Sequence, residues 1–151
     1  MFIKCTKLIL NKEYRMKCVV RLYLSIIPSN RIKKMLRSLL YDYIYVEYHV
    51  VIGRDALVDA SVSFPHFIGI VIGDKVKIGR KCTIFQNVTL GKKNGCYPTI
   101  GNGVTIFAGS VIVGDITIGD NSVIGANSFV DKDVPENSCV AGVPARVINR
   151  W

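Results

Sequence analysis

The first 50 residues of this 151-residue chain contain no glycine, although the sequence as a whole has thirteen. Leucine shows the opposite distribution, since seven of its nine occurrences lie before residue 50. Charge is also unevenly divided, because residues 1–50 hold ten Lys and Arg against three Asp and Glu. A chain of this length corresponds to about one domain. The contrast therefore indicates a basic segment attached to one domain of different architecture.

Histidine is scarce, and this scarcity excludes one kind of metal site. His49 and His66 are the only two, so one chain cannot provide the three imidazoles of a zinc site such as that of a γ-type carbonic anhydrase. No metal is expected. The five cysteines form no Cys-x-x-Cys pair, which favours reduced thiols in a cytoplasmic protein. The basic segment has no zinc-finger or helix-turn-helix spacing, so no nucleic-acid partner is expected.

Long apolar runs are also missing, which excludes a membrane-spanning helix of about 20 residues. Residues 1–17 lack the apolar core of a secretory signal. Residues 1–49 instead predict a basic α-helical segment, with one helix over residues 13–27 and a second after a turn at Pro28 and a capping residue, Asn30. The second helix carries an apolar face with helical spacing. The residues of that face are Ile32, Met35, Leu36, Leu39, Leu40 and Tyr43.

The apolar face of the second helix has two interpretations. It packs on the rest of the protein or on a neighbouring subunit, or it contacts the anionic inner face of the cell membrane, because basic amphipathic helices bind such surfaces. Both interpretations remain open at this point.

Residues 50–141 repeat with a period of six. The aliphatic or aromatic positions of the repeat are Ile52, Val58, Phe64, Ile72, Ile78, Ile84, Leu90, Ile100, Ile106, Ile112, Ile118, Ile124 and Val130. A period of six is typical of a parallel β-helix, in which three short strands make each coil of eighteen residues. The sequence therefore predicts an all-β prism of a little over four coils, followed by a C-terminal tail over residues 142–151.

The period is broken twice, and loops that depart from a regular scaffold often carry function. The step from Phe64 to Ile72 is eight residues, and the extra pair lies beside His66. A neutral imidazole suits proton abstraction near pH 7, so His66 is the candidate general base. The step from Leu90 to Ile100 is ten residues, and residues 91–99 are predicted to project as a loop.

Residues 50–148 resemble the hexapeptide-repeat acyltransferases of left-handed parallel β-helix fold, and within them the serine acetyltransferase-like group. The segments that carry the resemblance are His66–Gly73, Gln86–Gly91, Pro98–Gly101, Ile124–Ser128, Lys132–Pro135 and Ala141–Arg146. The resemblance implies a homotrimer that binds acetyl-CoA in the clefts between neighbouring prisms. It also implies that His66 removes the proton from an acceptor hydroxyl, which then attacks the thioester.

The resemblance assigns further site residues by position. Ala108 and Ala126 match small residues that let the pantetheine arm approach the prism, and Lys132 and Arg146 match basic residues near the CoA phosphates. In the inserted loop, Lys92, Lys93 and Tyr97 are candidates for contacting the acceptor, although Tyr97 can equally well be a packing residue.

Departures from the family pattern concern the acceptor. Serine acetyltransferases typically have an aspartate before the catalytic histidine, which meets the serine amino group, whereas this chain has Pro65. They also have Arg-His-Pro after the long loop, where this chain has Cys96-Tyr97-Pro98. The expected acceptor is therefore a neutral hydroxyl, namely a sugar of a cell-surface polysaccharide or glycan precursor. The alternatives are serine O-acetyltransferase activity in cysteine biosynthesis and a non-catalytic β-helix interaction module.

Overall fold

The structure is a computed structural model that describes residues 12–27 and 29–151. Two helices come first, α1 (Lys12–Ser25) and α2 (Arg31–Tyr48). Asn30 caps α2, because its side-chain oxygen accepts a 2.8 Å hydrogen bond from the Lys33 N–H. Both predicted helices and the predicted cap are therefore confirmed. The predicted turn at Pro28 and the part of the basic segment over residues 1–11 lie outside the described residues.

The rest of the described chain is built from fourteen short strands, and all but the last form a parallel β-helix. The strands are β1 (Val51–Ile52), β2 (Leu57–Val58), β3 (Val71–Ile72), β4 (Lys77–Ile78), β5 (Thr83–Ile84), β6 (Thr89–Gly91), β7 (Thr99–Ile100), β8 (Thr105–Ile106), β9 (Val111–Val113), β10 (Thr117–Ile118), β11 (Val123–Ile124), β12 (Phe129–Val130), β13 (Ser138–Gly142) and β14 (Ala145–Arg150). They form a first sheet ordered β1-β3-β6-β9-β12, a second ordered β2-β4-β7-β10 and a third ordered β5-β8-β11-β13-β14. The predicted fold class is confirmed.

The core consists of the aliphatic positions of the repeat, stacked coil upon coil. Twelve of the thirteen are buried, and Val58 is half-buried. Burial of each such side chain stabilises the prism by about 1.5–3 kcal/mol relative to an exposed one. The same core continues into the helices, where Tyr23 of α1 and Ile44 and Tyr48 of α2 are each 1% exposed. The helices therefore pack against the first coil.

The register of the first sheet accommodates both breaks in the period. Val71 pairs with Thr89, and Val111 with Phe129, which is the regular advance of eighteen residues. Val51 pairs with Val71 and Thr89 with Val111, so these two coils are longer by two and by four residues. The extra residues therefore lie in the turns, and the strands stay aligned.

Residues 142–151, predicted as a tail, contain a strand. β14 pairs antiparallel with β13, with Gly142 opposite Ala145 and Ser138 opposite Arg150. This segment has no six-residue repeat, so the period gave no signal for it. Pairing of β14 adds a strand to the end of the third sheet and places Arg146 beside the last coil.

Candidate active site

His66 lies in a bend at the corner where the third sheet leads into the first. We call the turns of this corner, residues 65–70, 85–88, 107–110 and 125–128, the His66 corner. The His66 side chain is exposed, and its ring centroid lies 6.2 Å from that of Phe85. Phe85 stacks in turn on Phe107 of the next coil, with centroids 5.1 Å apart. An aromatic ladder thus runs from the imidazole down two coils.

The bend that carries His66 is anchored on the end of α2. The Phe67 ring meets Tyr48 edge-on at 5.3 Å. Burial and a hydrogen bond with Tyr43 raise the pKa of Tyr48 to about 12, so this phenol stays neutral near pH 7. His49 ends α2 in the left-handed conformation, and its carbonyl accepts a 3.3 Å hydrogen bond from the Gly69 N–H. The fold therefore anchors the segment that follows His66.

Within the described residues, no side chain forms a hydrogen bond with the His66 imidazole. The ring is therefore positioned by its packing against Phe85, and both of its nitrogens remain available to a substrate. A general base needs a free nitrogen within hydrogen-bond reach of the proton that it removes. His66 meets the first part of that requirement, a free nitrogen, and no carboxylate among the described residues orients its ring.

Ala108 and Ala126 lie below His66 on the same corner. A backbone ladder connects the coils there, since the Asn87 N–H donates to the Ile68 carbonyl and the Asn127 N–H to the Ala108 carbonyl, both at 2.9 Å. With about 4.8 Å between successive coils, Ala126 lies about 14 Å down the prism from the coil of His66. Both side chains are small, and neither is buried, whereas the equivalent position on the coil between Ala108 and His66 is Gln86.

Gln86 belongs to the same corner and was not singled out by sequence reasoning. Its side-chain oxygen Oε1 is buried and has no hydrogen-bond partner among the described residues. A buried, unsatisfied acceptor is unusual in a folded protein and needs a reason. Gln86 follows Phe85 directly in the sequence. This position next to the aromatic ladder is the feature by which sequence analysis could have identified Gln86.

Lys92, Lys93 and Tyr97 lie on a different corner, where the first sheet leads into the second. The segment predicted to project is a compact hairpin, in which Lys93 and Cys96 exchange N–H···O=C hydrogen bonds of 3.0 and 3.1 Å. Asn94 and Gly95 make its turn with φ angles of 52° and 85°. Two central residues with positive φ form the tight turn that Asn-Gly favours, and the exposed loop is therefore closed as a hairpin.

Lys93 connects this hairpin to a residue that lies two coils further down the prism. Its Nζ lies 2.9 Å from Asp131 Oδ2, and that hydrogen bond lowers the pKa of the Asp131 carboxyl below its usual value. The Tyr97 ring packs over Gly73, where an added Cβ would lie 2.6 Å from Tyr97 Cε1. Lys92 is exposed. Lys93 is thus ion-paired and Tyr97 is packed against the prism. Lys92, the third residue predicted to contact the acceptor, makes neither kind of interaction with the described residues.

The structure brings Lys132 and Arg146 together. Both line a cavity of about 240 Å³ at the last coil, with Asp131 and Asp133 also on its wall. Asp131 is paired with Lys93, and Asp133 accepts a 2.7 Å hydrogen bond from the Thr117 N–H. Lys132 also interacts electrostatically with Asp131, and Arg146 Nη1 donates a 2.8 Å hydrogen bond to the Ala145 carbonyl, which leaves the other donors of that guanidinium for an anion. Phosphate oxygens are suitable ligands for such a pair.

One chain does not assemble all of the predicted residues at one point. His66, Ala108 and Ala126 share the His66 corner, whereas Lys92, Lys93 and Tyr97 lie across the first sheet on the next corner. No group of three or more His, Cys, Asp or Glu side chains that could hold a metal ion is found in residues 12–27 and 29–151. Over the same residues, neither helix is long and apolar enough to cross a membrane.

Comparison with known proteins gives a consistent result. Residues 97–132 match the family model described as "Bacterial transferase hexapeptide (six repeats)". A serine acetyltransferase of Synechococcus elongatus is 42% identical over 105 residues, which are 67% of this chain and 43% of that protein. A serine acetyltransferase of Bacillus subtilis is 43% identical over 101 residues, covering 64% of this chain and 44% of that protein. The chain spans less than half the length of these curated relatives.

Solved structures give the same family. A serine acetyltransferase in complex with CoA superposes with a TM-score of 0.80 at 33% identity, covering 95% of this chain and 60% of the other. Serine acetyltransferase of Neisseria gonorrhoeae in complex with serine superposes with a TM-score of 0.81 at 30% identity, with the same coverages of 95% and 60%.

These similarities correct the expected acceptor. The sugar acceptor was inferred from Pro65 and from Cys96-Tyr97-Pro98, but the relatives at about 42% identity are named serine acetyltransferases, so that inference is wrong. The physical reason is that the absence of two side chains excludes two contacts with the acceptor. It does not show which other residues bind the acceptor, so it cannot identify the acceptor. The β-helix of this chain is built from hexapeptide repeats and is similar in sequence and in fold to that of the serine acetyltransferases.

Proposed function

We propose that the chain transfers the acetyl group of acetyl-CoA to the hydroxyl of L-serine, with His66 as the general base. The observation that carries the proposal is the exposed His66 imidazole on the corner that also holds Ala108 and Ala126, in a β-helix similar to that of serine acetyltransferases. The relatives include a solved complex with CoA and one with serine.

The proposed reaction needs one base and one track for the thioester. An imidazole nitrogen of His66 takes the hydroxyl proton while the serine oxygen attacks the thioester carbonyl. The C–S bond then breaks, the acetyl group stays on the serine oxygen, and the imidazolium returns its proton to the departing CoA thiolate. The pantetheine arm lies along Ala108 and Ala126 in this proposal, and Lys132 and Arg146 hold CoA phosphates.

The acceptor site in this proposal is completed by a second copy of the chain in a homotrimer. His66 and the hairpin of Lys92 lie on different corners, and prisms packed side by side would bring the corner of one copy towards the hairpin of its neighbour. Lys92 is the exposed cation of that hairpin, whereas Lys93 is paired with Asp131. We assign Lys92 to the serine carboxylate, in place of the arginine that is missing at Cys96.

An acceptor assay tests the proposed reaction directly. We expect acetyl-CoA consumption, followed as release of free CoA thiol, to be accelerated by L-serine well above the rate without acceptor. O-methyl-L-serine is the matched control, because it has the same charges but no free hydroxyl, and it should give only the basal rate. Equal rates with L-serine, with its methyl ether and without acceptor would contradict the proposal and favour a non-catalytic module.

Removal of either cation from the last coil should weaken CoA binding. We expect Lys132→Ala and Arg146→Ala each to raise the Kd of CoA about tenfold, since a charge-assisted hydrogen bond contributes about 1.5–3 kcal/mol and 1.4 kcal/mol is a factor of ten. Isothermal titration calorimetry measures this Kd. Lys75→Ala removes an exposed lysine outside that cavity and should leave it unchanged. Unaltered affinity in both cavity variants would exclude the assigned phosphate site.

A further inference from the structure

A cavity of about 280 Å³ lies where α1, α2 and the turn after β1 meet. Its lining includes Tyr23 from α1, Tyr41 from α2 and Arg54 from the turn. No residue assigned to acetyl-CoA or to serine lines it, and the proposed reaction makes no use of it. The volume is close to the lower limit of small-molecule sites, which is about 300 Å³. The cavity therefore suits a small ligand.

The lining of this cavity has an excess of positive charge. Lys34, Arg37 and Arg54 are three cations, and Asp55 is the only acidic residue among the described ones that line it, which leaves a net charge of +2. Within residues 12–27 and 29–151, Asp55 forms no ion pair with any of the three cations. A cleft lined by one sign of charge raises the local concentration of the opposite ion. The expected ligand is therefore an anion.

The two guanidinium groups of the lining are oriented by aromatic rings. The guanidinium carbon of Arg37 lies 4.7 Å from the centre of the Tyr23 ring. Its two Nη atoms donate hydrogen bonds of 3.5 and 3.0 Å to the carbonyls of Ile26 and Arg54. The guanidinium carbon of Arg54 lies 5.7 Å from the centre of the Tyr41 ring. Each guanidinium carries five N–H donors, so both arginines keep donors for a ligand.

The charge of the lining favours a phosphate monoester over a carboxylate. A planar guanidinium forms paired hydrogen bonds with either group, so geometry alone does not distinguish them. A phosphate monoester carries about −1.5 to −2 charges near pH 7, which matches the net charge of +2, whereas a carboxylate carries a single charge. Ser38 adds a hydroxyl to the lining, and a hydroxyl can donate to a further phosphate oxygen.

We propose that this cavity binds the phosphate group of a small phosphate monoester, through Lys34, Arg37 and Arg54. The bound group would join α2 to the turn after β1 and would neutralise the cations that meet there. A soluble phosphate monoester and phosphatidic acid in a membrane both present this group. The site is independent of the proposed reaction, because it lies at the first coil and shares no residue with the His66 corner or with the cavity at the last coil.

Binding of glycerol 3-phosphate to the full chain, measured by isothermal titration calorimetry, tests the site. We expect Lys34→Gln and Arg54→Gln each to raise the Kd about tenfold, because each removes a charge-assisted contact with the phosphate. Lys33→Gln is the matched control, since Lys33 precedes Lys34 on α2 but does not line the cavity. It should leave the Kd unchanged. Glycerate, a three-carbon carboxylate, should bind more weakly than glycerol 3-phosphate because of its lower charge.

Two variants separate this cavity from the one at the last coil, which also offers cations to a phosphate. Lys132→Ala should bind glycerol 3-phosphate as tightly as the unaltered protein, and Arg54→Gln should keep its affinity for CoA. Loss of glycerol 3-phosphate binding in Lys132→Ala, with retention in both Lys34→Gln and Arg54→Gln, would overturn the proposal. Equal losses in Lys33→Gln and Lys34→Gln would also overturn it, because they would indicate attraction to the basic helix in general.

Flotation with phosphatidylcholine vesicles, with and without phosphatidic acid, identifies the source of the phosphate. Flotation that requires phosphatidic acid, is abolished by Arg54→Gln and is retained by Lys33→Gln would support the site with a lipid as its ligand. Calorimetric binding of glycerol 3-phosphate without such flotation would support it with a soluble ligand. Absence of both would overturn the proposal.

Discussion

Replacement of His66 by alanine is expected to lower kcat for acetyl transfer by about 10²–10⁴-fold, the usual contribution of a general base. The side chain is exposed and belongs to no core contact, so the variant should keep the fold. The backbone anchors of the bend, from Phe67 to Tyr48 and from Gly69 to His49, do not involve the imidazole. Steady-state release of CoA thiol with saturating L-serine measures the loss.

Two further measurements separate loss of the base from loss of the site. CoA affinity should be unchanged in His66→Ala, since the residues assigned to the nucleotide lie on lower coils. His49→Asn is the matched control, because it removes the other exposed histidine while asparagine accepts the left-handed φ of 54° at that position. It should retain full turnover. A His66→Ala enzyme as fast as the unaltered protein would refute the assigned role.

The β-helix could be predicted in detail because its signal is local and repeated. Each coil buries one aliphatic side chain every six residues. Every repeat therefore predicts, independently of the others, the same short strand with one inward position. The two breaks in the period also located the irregular turns, including the one that carries His66. The grouping of Ala108 and Ala126 on the corner of His66 follows from the same coil arithmetic, although their role in binding stays a prediction.

The inserted hairpin could not be predicted at the same level. Its contact with the lower coils joins Lys93 to Asp131, which lies 38 residues further along the chain. A single sequence does not show that these two residues meet, because their approach depends on how far each coil advances. The same limitation applies to Lys132 and Arg146, which meet in one cavity only because β14 folds back along β13.

The partner of the apolar α2 face was left open and the predicted acceptor was wrong for a different reason. An apolar helix face indicates burial but not the partner that covers it, and α2 buries Ile44 and Tyr48 while Leu39 stays exposed. Acceptor choice is a difference between binding free energies. Pro65 and Cys96 show that two expected contacts with the acceptor are absent. They do not show which contacts replace these two or how much binding free energy the replacements contribute.

Replacement of Gly53 by alanine should destabilise the first coil more than any exposed substitution. Gly53 is buried at the end of β1, and its N–H donates a 2.7 Å hydrogen bond to the Ile72 carbonyl. A Cβ there would overlap the Asp74 backbone and lie 2.7 Å from the Gly73 carbonyl carbon. Backbone atoms of the next coil cannot move aside as a side chain can, so β1 and β3 must separate.

Overpacking of this kind costs about 1–3 kcal/mol, and we place Gly53→Ala at the upper end, which is a fall in Tm of about 5–10 °C for a chain of this size. Differential scanning calorimetry measures the fall. Gly91→Ala is the matched control in the first sheet, because its added Cβ would meet only the methyl groups of Val113 and Thr89, at 3.2 and 3.6 Å. Equal Tm values for the two variants would show that β1 tolerates separation from β3.

Such a separation also has a consequence for the active site. The first coil carries α2, and the end of α2 anchors the His66 bend through the hydrogen bond from the Gly69 N–H to the His49 carbonyl. Gly53→Ala should therefore reduce turnover below the temperature at which the prism unfolds, with CoA affinity retained on the lower coils. If turnover and CoA affinity fall together with Tm, the prism unfolds as one unit, and His66 does not depend on α2 separately.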